Sequence, residues 1–329
     1  MEQARFVQSL RQARYMLPPL TGYTDYPYRV VLSGFHPAFL TTEMVHVSAI
    51  VRRNARTMQM LRRVEGSHAN GVQLLGRKKD DMLAAARMVE DLGFDFIDVN
   101  MGCTTPKVAR RGEGVALMKD EDAATDLVSS LVEAVGVPVT VKLRLGPSAG
   151  RRNFLSLALH LQEAGVTAVT IHGRTGEHKS SPSVDWSCIA QAVCALSIPV
   201  VANGGVSSGD VAGMVLRETG CAGVMPGRFL IGNPWLVAEL QAVVSGRGYV
   251  SPGFGERVAV CRRHFDLLRE MYGERTAAVR MRTLFSHYFP RIEGRAAFNR
   301  DVRLLGYTGF RRLLETIEDA PWDAQSGVR

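Results

Sequence analysis

The chain has 329 residues, of which 46% are hydrophobic and 22% are charged, and it carries a formal net charge of +8 with an isoelectric point near 9.5. No segment approaches the 18 or more uncharged apolar residues of a membrane-spanning helix, which excludes an integral membrane protein of that kind. The five cysteines are scattered without a C-x-x-C pair, so we expect neither a disulfide framework nor a metal site. Because the first fifteen residues hold no continuous apolar stretch either, we expect a soluble, cytoplasmic protein, and we expect it to be a monomer.

Short apolar runs alternate with longer helical patterns from residue 15 onwards. Eight candidate strands follow one another at residues 15–20, 38–44, 71–76, 94–100, 137–145, 166–173, 198–205 and 221–227. Helical patterns separate them, and several of these end on glycine, as helices often do. Eight strands, each followed by a helix within about 210 residues, predict a (β/α)8 TIM barrel. An open doubly wound sheet is the alternative, but no G-x-G-x-x-G follows the first strand.

The strand pattern stops at a segment rich in glycine and turn residues, 245–255. Amphipathic helical patterns follow it, which predicts a TIM-barrel catalytic domain over 1–248 and a small all-helical domain over 249–329. Residues 251–312 hold 13 arginines, no lysine and 6 acidic residues. Because guanidinium groups bind phosphate as a planar fork, this cluster favours a nucleic-acid partner, and a solvated helical face is the alternative.

Polar residues lie where the predicted strands end. In TIM barrels the active site is built at the carboxyl ends of the strands, so these side chains should meet at one rim. Any one of them has an ordinary structural explanation, but their convergence indicates a functional site. The residues are Thr21 to Asp25, Glu43, Gln73, Asn100, Cys103, Lys142, Arg144, His172, Arg174, Asn203 and Arg228.

Glycines follow the last two predicted strands, in the sequences ANGG (202–205) and PGR (226–228). Barrels often bind phosphate there through backbone N–H groups, which glycine allows a ligand to approach closely. We therefore expect a phosphorylated cofactor, with FMN as the natural candidate, bound by Asn203, Gly204, Gly205, Gly227 and Arg228.

Three more polar residues are predicted to contact the flavin ring. Lys142 could stabilise the negative charge of a reduced ring, and Gln73 and His172 could form hydrogen bonds with its edge. The alternative is that these residues bond one another at the barrel mouth.

Together these motifs resemble the tRNA-dihydrouridine synthase family over roughly residues 15 to 310. The matching segments are PLTGYTDYPYR (19–29), DVNMGC (98–103), KVARRGEGVALMKD (107–120), VTVKLRLG (139–146), IHGRT (171–175), VVANGGV (200–206), GVMPGRFLIGNPWL (223–236) and AAVRMRTLFSHYF (277–289). The resemblance implies reduction of the C5=C6 bond of a tRNA uridine to dihydrouridine, with FMN as cofactor and NADPH or NADH as electron donor.

The resemblance also implies residue roles. A thiol ordinarily keeps its proton at neutral pH, so Cys103 would be the general acid that protonates C5, with Asn100 orienting the uracil. Pro19, Leu20 and Thr21 would border the flavin. The residues expected to contact tRNA are Lys107, Arg110, Arg111, Arg174, Arg280, Arg282 and Arg291.

Departures from the family pattern indicate a divergent member. Thr104 stands where the family usually has proline after the cysteine, Leu20 replaces a methionine beside the flavin, and Pro226 replaces an aliphatic residue. The segment 178–186 differs as well. Two other functions stay open, namely a flavin barrel enzyme that acts on a small pyrimidine or another small molecule, and a non-catalytic tRNA-binding protein.

Overall fold

The computed structural model of the protein describes residues 1–177, 183–289 and 305–319. Seven parallel strands form one curled sheet in which each strand pairs with the next along the chain. The strands are β1 (Phe39–His46), β2 (Ala69–Leu75), β3 (Phe96–Met101), β4 (Val139–Arg144), β5 (Ala168–His172), β6 (Val200–Asn203) and β7 (Gly223–Met225). This sequential order confirms the TIM-barrel-like architecture and rules out a doubly wound sheet, whose strand order reverses.

Helices surround the sheet and continue beyond it. They are α1 (Gln3–Ala13), α2 (Tyr26–Ser33), α3 (Val47–Val51), α4 (Ala55–Met60), α5 (Lys79–Asp91), α6 (Pro106–Ala109), α7 (Glu121–Ala134), α8 (Phe154–Glu163), α9 (Trp186–Ala195), α10 (Gly209–Thr219), α11 (Trp235–Ser245), α12 (Phe254–Tyr272), α13 (Glu274–Tyr288) and α14 (Tyr307–Asp319). Five of the described helices begin with a side-chain cap, as in α7, where the Asp120 carboxylate accepts the Ala123 N–H at 3.1 Å.

The predicted first strand, 15–20, is reduced to a single β-bridge. Tyr15 pairs in parallel with Val224 of β7, and the Met16 N–H donates to the Val224 carbonyl at 3.0 Å. The ladder cannot continue in the same way because Pro18 and Pro19 have no N–H to donate. The predicted last strand, 221–227, is likewise shortened to three residues.

Helix α1 covers the amino-terminal end of the sheet. Its Phe6 is fully buried, and its ring centroid lies 5.0 Å from that of Phe39 and 5.3 Å from that of Phe96. Both partners lie at the start of their strands, so aromatic packing closes this end of the barrel. A ligand therefore has to enter from the opposite end, where the strands finish.

Helices α12, α13 and α14 form the helical C-terminal part of the chain. Helix α12 packs against α2 of the barrel as well as against α13, and the His264 ring accepts or donates a hydrogen bond of 2.8 Å with the Tyr288 hydroxyl. The predicted boundary at residue 248 falls between α11 and α12. Among the helices that the structure describes, none is long and apolar enough to cross a membrane.

Candidate active site

A pocket of about 1250 Å³ opens at the carboxyl end of the sheet. Its wall brings together most of the residues predicted for the site, from all parts of the barrel. These are Pro19, Leu20, Thr21, Gln73, Asn100, Cys103, Lys142, His172, Arg174, Asn203, Gly204, Gly205, Gly227 and Arg228. Arg257 of α12 and His287 of α13 also line it, so the helical part of the chain contributes to the same cavity.

The floor of the pocket is a chain of hydrogen bonds that starts at Asp98 of β3. The buried Asp98 carboxylate accepts from the Thr140 hydroxyl at 2.6 Å and from the Gln73 side-chain amide at 2.7 Å. Burial raises the pKa of Asp98, while these two donors and the nearby Lys142 oppose that rise. Since Gln73 gives its N–H₂ group to Asp98, its carbonyl oxygen must face the next residue in the chain.

That next residue is Asn100, whose amide is oriented from both sides. Its N–H₂ group donates to the Gln73 carbonyl oxygen at 2.7 Å. Its own oxygen accepts the backbone N–H of Cys103 at 2.9 Å and that of Gly102 at 3.2 Å. The side chain of Asn100 therefore holds the turn that carries the cysteine, and its role is at least structural.

Cys103 lies half-buried in the pocket wall as a free thiol. Its Sγ lies 3.3 Å from the Thr105 hydroxyl oxygen, and its carbonyl accepts the Val115 N–H at 3.0 Å. Gly114 has φ of +61°, and a Cβ there would lie 2.7 Å from the Cys103 carbonyl oxygen. Only glycine fits this close approach, so the loop that follows the cysteine folds back tightly onto it.

Positive charge is concentrated on the opposite side of the pocket floor. The Lys142 ammonium of β4 donates to the Asn203 side-chain oxygen at 2.7 Å, and burial is the main cause that lowers the pKa of Lys142. Burial, with Lys142 and Arg144 nearby, also lowers the pKa of His172 to about 2. His172 is therefore a neutral imidazole at physiological pH.

Three features of the pocket suit a phosphorylated, hydrogen-bonding ligand. Gly204 and Gly205 have φ of +108° and +69°, which brings bare backbone to the pocket wall at the end of β6. Arg174 and Arg228 stand in the same wall. The Nδ1 atom of His172 is buried and has no hydrogen-bond partner among the described residues. A ligand could supply that partner, as buried polar atoms in proteins are rarely left unpaired.

The remaining residues predicted to contact tRNA do not line the pocket. Lys107, Arg110 and Arg111 are exposed in the loop that follows Cys103, and we call residues 104–113 the basic loop. Arg280 instead forms an ion pair with the buried Asp25 carboxylate at 2.5 Å, and Arg282 donates twice to the Leu305 carbonyl, at 3.0 and 2.9 Å. Arg291 lies outside the described residues, as does most of the divergent segment 178–186.

Several residues of the site were not predicted from the sequence. Asp98 was read as part of a buried strand, and its position two residues before Asn100, on the same face of β3, was the available signal. Thr105, which was not predicted, accepts a hydrogen bond from the Cys103 thiol at 3.3 Å. Arg144, which was predicted for the rim, also holds this turn: its guanidinium donates to the carbonyls of Gly102 and Thr175 at 2.8 and 3.0 Å. Nothing in the sequence indicated that Arg257 and His287 would reach the barrel mouth.

The family model and the curated relatives that match this chain all belong to one family. The family model described as dihydrouridine synthase matches residues 16–308. A probable tRNA-dihydrouridine synthase of Rickettsia typhi is 32% identical over 292 residues, 88% of this chain and 89% of that protein. One of Rhodobacter capsulatus is 35% identical over 261 residues, 78% of this chain and 80% of the relative. tRNA-dihydrouridine synthase B of Pasteurella multocida is 32% identical over 79% of both chains.

Proposed function

The chain belongs to the tRNA-dihydrouridine synthase family, and we propose that it reduces the C5=C6 bond of a specific uridine in tRNA to 5,6-dihydrouridine. The proposal assigns FMN to the pocket at the carboxyl end of the sheet, NADPH or NADH to the supply of electrons, and Cys103 to the proton. The observation that carries it is the position of the Cys103 thiol in the wall of the same pocket that holds Lys142, His172 and the two glycines with positive φ.

The pocket residues fit FMN in both charge and hydrogen bonding. Gly204, Gly205, Gly227 and Arg228 would hold the phosphate, since backbone N–H groups and a guanidinium favour an anion. Lys142, Gln73 and the unpaired Nδ1 atom of His172 would face the ring edge, while Pro19, Leu20 and Thr21 would border it. When bound and reduced, FMN supplies the hydride that adds to C6 of uracil.

Cys103 would complete the reduction as a general acid. Hydride addition to a double bond conjugated with the C4 carbonyl leaves an enolate, and C5 then needs a proton. The thiol gives up that proton and becomes a thiolate, which solvent reprotonates before the next turnover. The hydrogen bonds from the Gly102 and Cys103 N–H groups to Asn100 fix the turn that carries the thiol, so that its reach into the pocket is set before substrate arrives.

The substrate has to present an unstacked base to reach this thiol. A pocket at the bottom of a barrel mouth cannot admit a base that is still stacked in a helix, and unstacking costs a few kcal/mol, less in a tRNA loop than in a duplex. Phosphate contacts outside the pocket would offset that cost. Lys107, Arg110 and Arg111 of the basic loop and Arg174 at the pocket wall are the nearest predicted cations.

One experiment separates this function from a flavin enzyme that acts on a small pyrimidine. The purified protein should carry FMN absorbance and, after anaerobic reduction with NADPH, should be reoxidised by tRNA that lacks dihydrouridine. Free uridine, uracil and orotate, at the same concentration, should leave the flavin reduced. Reoxidation by a small pyrimidine with no response to tRNA would decide for the alternative enzyme, and tRNA binding without any flavin would decide for a non-catalytic protein.

A further inference from the structure

A second group of arginines follows β1 and has no acidic residue among it. Residues 47–64 contain Arg52, Arg53, Arg56, Arg62 and Arg63, with no lysine, aspartate or glutamate. The segment forms α3, a tight turn and α4. It carries one sign of charge over about eighteen residues, which is unusual for a solvated surface that mixes both signs.

Packing directs every one of these arginines outward. Ile50, Thr57 and Leu61 are buried against the barrel, whereas the five arginines are exposed. The turn between α3 and α4 forces Arg53 to a φ of +51°, where its N–H donates to the Ile50 carbonyl at 2.8 Å. A left-handed conformation is uncommon for a residue with a side chain, and such conformations occur preferentially at functional surfaces.

Two of the five arginines have partners within the chain. The Arg62 guanidinium lies 4.1 Å from the Tyr26 ring centroid, and Arg63 is 3.7 Å from the Asp95 carboxylate. No hydrogen bond or ion pair holds the side chains of Arg52, Arg53 and Arg56 within the part of the chain that the structure describes. We call these three residues the α3–α4 arginines, and they offer uncompensated charge to an external partner.

The segment that carries the α3–α4 arginines begins at the carboxyl end of β1, the end of the sheet at which Cys103 lies. They follow β1, Arg77 follows β2 and the basic loop follows β3, and these three strands are neighbours in the sheet. A Cβ at Gly112 of the basic loop would lie 3.0 Å from Arg77, so the two touch. His46, at the end of β1, bonds Glu113 at 2.9 Å and so ties the segment before α3 to the basic loop.

We propose that the α3–α4 arginines bind phosphates of the RNA backbone next to the nucleotide that enters the pocket, and that they extend the basic loop into one continuous rim. This inference rests on the proposed function, because it presumes an RNA whose base reaches Cys103. A polymer whose base enters the pocket extends across the barrel mouth, where this rim would meet its backbone. Guanidinium groups suit it because each can donate two parallel hydrogen bonds to a phosphodiester.

The test compares two triple variants of the full chain that change charge equally. R52Q/R53Q/R56Q removes the α3–α4 arginines. R5Q/R11Q/R87Q removes three exposed arginines away from the mouth, two on α1 at the closed end of the barrel and one on the outer helix α5. Binding of unmodified tRNA is measured by fluorescence anisotropy over a series of salt concentrations, and FMN content is recorded for each protein.

The first variant should bind tRNA roughly ten-fold or more weakly at moderate salt, and the slope of log K against log salt should become shallower by about 2 to 3, since each lost phosphate contact removes 0.7 to 0.9. The control variant should match the wild type in both quantities, and all three proteins should keep their FMN. A third variant, R52K/R53K/R56K, should keep the wild-type slope because counterion release depends on charge.

Four results would overturn the inference. Wild-type slope and affinity in R52Q/R53Q/R56Q would show that the α3–α4 arginines are a solvated face, while the proposed function would stand. An equally shallow salt slope in the lysine variant, which keeps the charge, would show that tRNA binding does not depend on positive charge at these positions. Unchanged tRNA binding combined with a loss of binding to vesicles of phosphatidylcholine and phosphatidylserine would assign them to a membrane surface. A wild-type protein that binds no tRNA would remove the proposed function as well.

Discussion

Three arginines that follow β1 and two of the helical C-terminal part occupy different environments. On the barrel, Arg52, Arg53 and Arg56 are exposed and hold no partner among the described residues. In the helical part, Arg280 pairs with the buried Asp25, and Arg282 donates to the Leu305 carbonyl. The first group has charge to offer a ligand, whereas the charge of Arg280 is compensated by Asp25 and the guanidinium of Arg282 is already hydrogen-bonded within the chain.

This difference shows why the number of arginines in a segment is a poor guide to a binding surface. Residues 251–312 contain 13 arginines, yet the described contacts of Arg280 join that region to the barrel at the amino terminus of α2. An arginine that compensates a buried carboxylate has already lost most of its capacity to bind phosphate. The fold, rather than the count, decides which arginines remain available.

The largest effect should come from breaking the contact between the two parts. Arg280→Ala leaves the Asp25 carboxylate buried without its counter-charge, so we expect the free energy of unfolding to fall by about 3 kcal/mol at pH 8, measured in urea. Burial raises the pKa of Asp25 to about 6, and removal of Arg280 raises it further. Protonation relieves the unpaired charge, so the loss should be smaller at pH 5.

A matched double variant tests the cause of that loss. Asn is also a good helix N-cap and can accept the Tyr28 N–H that Asp25 accepts at 3.0 Å. Arg280→Ala combined with Asp25→Asn should therefore recover most of the stability. Unchanged stability together with weakened tRNA binding in Arg280→Ala would be the contrary result. It would show that Arg280 binds RNA, as is proposed for the α3–α4 arginines, and that the comparison between the two regions is wrong.

A smaller effect is expected for Lys142, the buried cation of the pocket. Its charge should depend on pH, unlike the charge of the exposed α3–α4 arginines. Burial lowers the pKa of Lys142, so this lysine loses its charge at a lower pH than an ordinary lysine. FMN affinity should then fall as pH rises above neutrality, by up to about ten-fold per pH unit once the pKa is passed. Guanidinium groups stay charged over this range, so tRNA binding should not follow.

Fluorescence titration of FMN into the flavin-free protein across the alkaline range measures this effect. Lys142→Met should bind FMN weakly at every pH and should show no such dependence. An affinity that is independent of pH in the wild type would indicate that Lys142 does not contact the flavin as a cation.

The smallest effect is expected at Arg282. Its two hydrogen bonds to the Leu305 carbonyl join α13 to the segment before α14, and the side chain is only half-buried. Arg282→Ala should cost about 1 kcal/mol in the free energy of unfolding and should leave the salt dependence of tRNA binding unchanged. A shallower salt slope in this variant would show that Arg282 contacts RNA phosphates.

The barrel and the inner wall of the pocket could be predicted from the sequence because both follow from local patterns. Buried parallel strands are apolar along their length, and polar residues at their carboxyl ends, such as Gln73, Lys142 and Asn203, have to face the same opening. The predicted first strand is shorter in the structure than the apolar pattern indicates. Its pairing with β7 ends early because Pro18 and Pro19 have no N–H to donate.

The outer parts of the site could not be predicted in the same way. The contact of Arg280 with Asp25 joins residues 255 positions apart, and no local pattern announces such a pair. Asp98 looks like any acidic residue near a strand end until the structure shows Gln73 and Thr140 donating to it. The α3–α4 arginines could not be singled out from the sequence, because only the structure shows that their side chains are exposed and have no partner among the described residues.

The central claim is that Cys103 supplies the proton in a flavin-dependent reduction of tRNA. It is tested most directly by mass-spectrometric counting of dihydrouridine after unmodified tRNA is incubated with FMN-loaded, NADPH-reduced protein, either wild type or Cys103→Ala. The account predicts that the variant keeps its FMN and its affinity for tRNA but loses nearly all dihydrouridine formation, on the order of the 10²- to 10⁴-fold that a general acid contributes. Dihydrouridine formed by Cys103→Ala at the wild-type rate would contradict it.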